Sequence, residues 1–297
     1  MKKIKAKRKN SNSLISYVML APFLIFFIFF TVIPVITGVI VSLTDFNLLN
    51  FPSFVGLDNY IRLFVEDNEF IKSLKNTIIF SFVCGPIGYV MAFFLAWLIN
   101  EMPKKIRIIM TLVFYAPSIS GNIYFIWKFI FSGDSYGLIN GMLMGIGAIN
   151  EPILWLSDTS YALAVVIIVQ LWTSMGVSFL AFVAGFQSVD ASQFEAAAID
   201  GIHNRFEELW YVTIPNMKDM LLFGAVTQIA NTFMVGSITD ALTGGYLSVD
   251  GATLTIMNHM NDYGSVRYEM GYACAISVIL FIIVYFSKTV IFKLLKW

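Results

Sequence analysis

Charge is scarce in this chain. Only 13% of its 297 residues are Asp, Glu, Lys or Arg, against about 25% in soluble domains. The two signs balance at nineteen each, which gives no electrostatic case for a nucleic acid or other polyanionic partner. Cysteine is limited to Cys84 and Cys274, both inside apolar runs, so a disulfide-stapled scaffold is excluded. Histidine occurs twice, at His203 and His259, neither at metal-ligand spacing from cysteines or an acidic cluster. No metal and no cofactor is expected. A Gly-x-x-x-x-Gly-Lys-(Ser/Thr) phosphate loop is missing too, so the chain cannot hydrolyse ATP by that route. Without paired carboxylates, a Ser/His/Asp set or metal ligands at one depth, no catalytic residue is assigned. The chain reads as something other than an enzyme.

Apolar residues are abundant instead, at 58% with a mean hydropathy of +0.77. A water-soluble core of this size cannot hide so many. The apolar stretches are continuous rather than alternating, which favours membrane helices over a barrel. Six runs can span about 30 Å of hydrocarbon: Tyr17–Leu43, Leu74–Ile99, Ile108–Phe131, Tyr161–Phe186, Met220–Leu242 and Met270–Phe292. Polar residues dilute the third, fourth and fifth. The first is too long for a removable leader and lacks a small-residue cleavage site after it. The predicted fold is an all-α integral membrane protein of six transmembrane helices, residues 14–297, behind a basic tail at residues 1–13.

Lys and Arg placement orients these spans. With the N-terminus inside, fourteen basic residues fall on the cytoplasmic side and five, Arg62, Lys72, Lys75, Lys128 and Arg267, on the other. Both termini and the loop at residues 188–217 are therefore expected in the cytoplasm of a cell-membrane, multi-pass protein. The external segments are sizeable, glycine-rich and suited to docking an external protein.

Polar groups cluster within three spans: Ser118, Ser120 and Asn122; Gln170, Trp172, Thr173 and Ser174; Thr227, Gln228, Asn231 and Thr232. Unpaired in lipid, they would cost several kcal/mol each, of the order of 2–7, so they should face protein or water. Amides and hydroxyls beside an aromatic ring suit a sugar. Hydrogen bonding between neighbouring helices is the competing account of each residue taken singly.

The loop reads "EAAAIDGIHNRFEELWYVTIP" over Glu195–Pro215. Ser192 and Glu195 fit a capping box, Ala196, Ala197 and Ala198 favour helix, and Gly201 can end it with a left-handed turn. Asn204 caps a second short helix, expected to stop before Pro215. Phe194, Ile199, Leu209 and Trp210 are available for packing.

This loop resembles the "EAA" segment of permease subunits in ATP-binding-cassette importers. "GLDNY" (Gly56–Tyr60), "APSISGNIYFIWKFIF" (Ala116–Phe131), "LTGG" (Leu242–Gly245) and "GYACAISV" (Gly271–Val278) are similar to the carbohydrate-uptake branch, near maltose and glycerol-3-phosphate permeases. Two positions depart from the family, with Asp190 and Tyr246 where it usually has proline. The resemblance implies a coupling helix that docks on an ATPase subunit through Glu195, Ala196, Ala197, Asp200, Gly201 and Pro215. It places Phe114, Ser118, Gln170, Ser174 and Asn231 at a solute cavity, beside which Asn122, Trp172 and Gln228 complete the candidate set. It also implies a pair of ATPase subunits, a second permease chain and an extracytoplasmic solute-binding protein, together importing a carbohydrate, expected to be an oligosaccharide. An ion-coupled secondary transporter is the alternative. It would need an acidic or histidine group within the spans, where Asp240, near the outer end, is the nearest.

Overall fold

The computed structural model describes residues 8–120 and 123–294. Asn122, the lysines of residues 1–7 and Lys296 lie outside the described residues. Four helices are long and apolar enough to cross a bilayer: Ser16–Val41, Asn68–Asn100, Ala162–Ser188 and Met270–Lys293. Two bent pairs, Lys104–Ile119 with Tyr124–Ile130 and Lys218–Phe233 with Ser237–Thr243, supply the third and fifth spans when each counts as one. The fold is all-α; among the described residues the sole β feature is an isolated bridge between Thr44 and Phe54. Among the described residues the first helix covers Arg8–Phe27 and so reaches into the expected basic tail.

Span 2 is the central post. Its 33 residues make a helix about 50 Å long, longer than the hydrocarbon layer, so both ends project. Asp67 caps it, accepting from the Phe70 N–H at 2.9 Å. Pro86 lies within this helix without breaking it. Spans 2, 4 and 5 pack on one another, and span 6 lies against span 5 and the second half of span 1. Glycines set the closest approaches: a Cβ on Gly224 would lie 2.5 Å from the Phe182 ring, and one on Gly88 2.5 Å from Gln228 Nε2. Small residues at helix contacts replace the hydrophobic drive that lipid removes. Span 1, by contrast, has no buried residue over residues 16–41.

The buried core falls into three clusters along the bundle. One, around Phe179, Phe182 and Met217, lies toward the face that carries the loop at residues 188–217. A second joins Phe80, Val166 and Ile238. The third, around Phe70, Ile256 and Tyr272, lies toward the far face.

Candidate functional site

Three of the six spans are interrupted. Span 3 leaves its helix at Ile119, and Ser120 is extended. Span 4 breaks over residues 174–176, between Ala162–Thr173 and Val177–Ser188, with Gly176 at φ −113°, ψ −124°. Span 5 bends by 45° between Phe233 and Ser237. Residues from all three breaks line one cavity of about 570 Å³. Ser118, Ser120 and Tyr124 come from the first, Gln170, Thr173, Ser174 and Gly176 from the second, Asn231, Met234 and Ser237 from the third. Non-helical backbone at membrane depth is tolerated where it lines a cavity or is buried in protein. Gly176 permits the close approach, since a Cβ there would lie 3.3 Å from Ser118 Cβ.

The polar groups of this cavity are underused by the protein. Ser118 Oγ donates to Tyr115 O at 2.7 Å and Ser174 Oγ to Leu171 O at 2.8 Å, which leaves their oxygen lone pairs as acceptors. The side-chain amides of Gln170 and Asn231 have no hydrogen-bond partner among the described residues. Among the described residues, no ionisable side chain lines the cavity apart from the phenols Tyr115 and Tyr124.

Of the sequence candidates, Ser118, Gln170, Ser174 and Asn231 are thus brought together. Trp172 stands aside, edge-on to Trp127 at 5.2 Å, and Phe114 packs against the cluster nearest the loop. Gln228 faces span 2, donating to Cys84 O and accepting from Ser178 Oγ, both at 3.4 Å. It lines a separate, apolar cleft of about 290 Å³ between spans 2, 5 and 6. Tyr115, Tyr124 and Ser237 also line the cavity, its aromatic faces coming from the two tyrosines. Tyr124 falls inside the segment Ala116–Phe131 without being singled out there, and Tyr115 and Ser237 lie in no marked motif.

The loop folds as a helix, Ala191–Ile199, a turn, and a second helical stretch. The capping box at Ser192 and Glu195 does not form. Asp190 is the N-cap, accepting from the Ser192 N–H at 3.1 Å, because the helix starts two residues earlier than the Ser-x-x-Glu pattern requires. Glu195 is consequently free of capping and exposed. Gly201, at φ +93°, closes a Schellman turn, with Ile202 N–H on Ala197 O at 3.0 Å and Gly201 N–H on Ala198 O at 3.3 Å. Asn204 caps the second stretch, accepting from the Phe206 N–H. That stretch does not stop before Pro215. It widens into a π-helix over Glu208–Thr213 and continues as Ile214–Asn216, a register in which the proline's missing N–H is accommodated.

Leu209 is buried, whereas Ile199 and Trp210 are 87% and 58% exposed. Arg205 bonds Glu208 at 2.8 Å and approaches Glu101 at 3.5 Å; these carboxylates hold its guanidinium above the usual range. Trp97 packs on Phe206 at 5.1 Å, and Asn216 Nδ2 donates to Gln193 Oε1. The loop is therefore tied to the end of span 2, and its own two ends are tied to each other.

A membrane bundle whose broken helices enclose a polar cavity, with a capped helix standing at one face, defines a solute-translocating subunit. Residues 84–293 match the family described as the binding-protein-dependent transport system inner membrane component. The chain belongs to this family and is a multi-pass permease component that works with ATPase and solute-binding partners. It is 32% identical over 296 residues to the probable ABC transporter permease protein YesP of Bacillus subtilis (strain 168), covering 99% of this chain and 93% of that protein. It is 30% identical to the trehalose/maltose transport system permease protein MalF of Thermococcus litoralis, covering 97% and 95% respectively. Its fold is shared with a chain of a bacterial alginate ABC transporter, solved in complex with an alginate pentasaccharide-bound periplasmic protein, at a TM-score of 0.75, 24% identity and 99% coverage of both chains.

Proposed function

We propose that this chain is one permease half of an ATP-driven importer, and that it translocates a carbohydrate delivered by an extracytoplasmic binding protein. The observation that carries the reading is the cavity at the three helix breaks, with the unpartnered amides of Gln170 and Asn231 beside two tyrosines. Such groups bond hydroxyls while the rings cover the apolar face of a sugar. The trehalose/maltose permease among its relatives supports this solute class. A carboxylate or histidine for ion coupling is not among the lining residues, which disfavours a secondary transporter.

In this reading both termini and the loop are cytoplasmic, ATP is hydrolysed on separate subunits, and a second permease chain completes the cavity. Glu195, Ala196, Ala197, Asp200, Gly201 and Pro215 lie on the segment that docks on the ATPase. Closure of the ATPase pair moves the capped helix as a lever and rocks the spans.

The test is purification of the tagged chain from its native membrane. Recovery of an ATPase and a second six-span chain is expected, with Glu195→Lys losing the ATPase or its coupling and Asn231→Leu losing uptake but keeping the complex. Recovery of the chain alone, intact and monodisperse, would overturn the reading.

A further inference from the structure

The break in span 5 is held from outside the cavity. Between spans 5 and 6 the chain folds back as a short buried helix, Ile256–Asn261, set against the break so closely that a Cβ on Gly236 would lie 2.9 Å from Met257 Cγ. Thr255 Oγ1 donates to Val235 O, within the break, at 2.7 Å. Asn258, 4% exposed, uses all of its amide there. Its Nδ2 donates to Gly236 O at 3.1 Å and to Asp240 Oδ1 at 2.6 Å, and its Oδ1 accepts from Thr239 Oγ1 at 2.8 Å and from the Thr255 N–H at 3.2 Å. One side chain thus fixes the interruption, the half-helix beyond it, and the segment that carries Asn258 itself. Span 2 anchors that segment in turn, through Thr77 Oγ1 on the Ile256 N–H at 2.9 Å and Asn76 Nδ2 on Leu254 O at 3.0 Å.

We propose that Asn258 is a positioning residue for translocation: by gripping the bend in span 5 it sets where Ser237 and Asn231 stand in the solute cavity. Asn258 does not itself line the cavity. The inference rests on the cavity reading given above. A fully satisfied buried network specifies one geometry, and a partly satisfied one does not. Leucine of similar size would fill the space and leave the Asp240 carboxylate without its partner, while Gly236 O and Thr239 Oγ1 would keep only the bond between them and the Asp240 N–H on Gly236 O.

The test needs no identified solute. In the assembled transporter, with Cys84 and Cys274 replaced by alanine, Ser237→Cys is modified with a membrane-impermeant methanethiosulfonate reagent and the rate is followed. Ser120→Cys, on span 3, is the control. Adding Asn258→Ala is expected to change the rate at Ser237→Cys about tenfold, as the loss of buried hydrogen bonds implies, and to leave Ser120→Cys unchanged. Exchanging the partners in Asn258→Asp/Asp240→Asn keeps an amide–carboxylate bond between the two positions but removes the N–H that Gly236 O accepts, so the altered rate is expected to persist. Unchanged rates at Ser237→Cys would overturn the proposal, as would equal changes at both cysteines or full recovery on exchange. If the cavity reading fails instead, the rate difference persists while modification of Ser237→Cys leaves binding-protein-stimulated ATPase activity untouched. That result would keep the grip and remove its role in translocation.

Discussion

Asp67 and His259 meet at 2.8 Å, Oδ2 to Nε2, across 192 residues of sequence. Tyr272 donates its hydroxyl to the same carboxylate oxygen at 2.6 Å. One carboxylate therefore joins the start of span 2, the buried helix Ile256–Asn261 and the start of span 6. His259 is fully buried, and Arg62 lies over the Tyr272 ring at 4.1 Å.

Removing that carboxylate strands two buried groups. Asp67→Ala is expected to cost about 1–3 kcal/mol, the range for an unsatisfied buried partner, and Asp67→Asn less, because an acceptor remains. Thermal unfolding of the detergent-solubilised complex measures both. Equal melting of Asp67→Ala and the parent would refute the assignment.

Acid should reach the same joint. Burial alone would raise the Asp67 carboxyl, but the bonds from His259, Tyr272 and the Phe70 N–H overcome it and hold it well below the usual carboxylate range. A depressed folded value adds stability that is complete above the unfolded value, about 3.9, and is lost as pH falls beneath it. Melting should therefore be indifferent to Asp67 from neutral pH down to about 5, then decline more steeply in the parent than in Asp67→Asn. Parallel acid profiles would contradict this.

The cap of the loop helix offers a sharper contrast. Asp190 sits at φ −67°, ψ 134° after an extended Val189, a conformation proline also adopts and imposes on its predecessor. Asp190→Ala should lose about 1 kcal/mol of helix capping, whereas Asp190→Pro trades the cap bond for rigidity and should be nearly neutral. Retention of the ATPase during purification, compared between the two variants, decides it.

Gly201 has a left-handed backbone, yet a Cβ placed there would meet only open space. Gly201→Val should therefore strain the turn by about 1–2 kcal/mol without a steric clash, weakening ATPase retention while the span bundle melts as before. A lowered melting midpoint of the bundle would place the defect elsewhere.

At the contact of spans 4 and 5 the effect should be steric instead. Gly224→Ala drives a methyl into the Phe182 ring, itself edge-on to Tyr89 at 5.1 Å. Overpacking of this kind costs about 1–3 kcal/mol. Phe182→Leu, which vacates the ring, should recover part of the lost melting temperature in the double variant.

Hydropathy locates the spans because a bilayer fixes their length, and the loop is legible because caps and left-handed turns are local. The position of the cap is not: Asp190 and Ser192 can both cap, and only tertiary placement selects where the helix begins. The breaks carry no comparable signature. Proline is the visible signal, yet Pro86 lies in an unbroken helix, while two breaks fall at Gly176 and Gly236 beside polar residues. Gln228 and Asn231 share one helix, three residues apart. Their side-chain chemistry makes both candidates, and only packing against span 2 turns Gln228 away from the cavity.

Helices flex where their hydrogen-bond ladder is interrupted, and here the interruptions are also the walls. Whatever occupies the cavity presses on three hinges at once. In the proposed reading, filling it and straightening or bending spans 3, 4 and 5 are a single mechanical event, and span 4 ends at Ser188, only two extended residues before the loop helix.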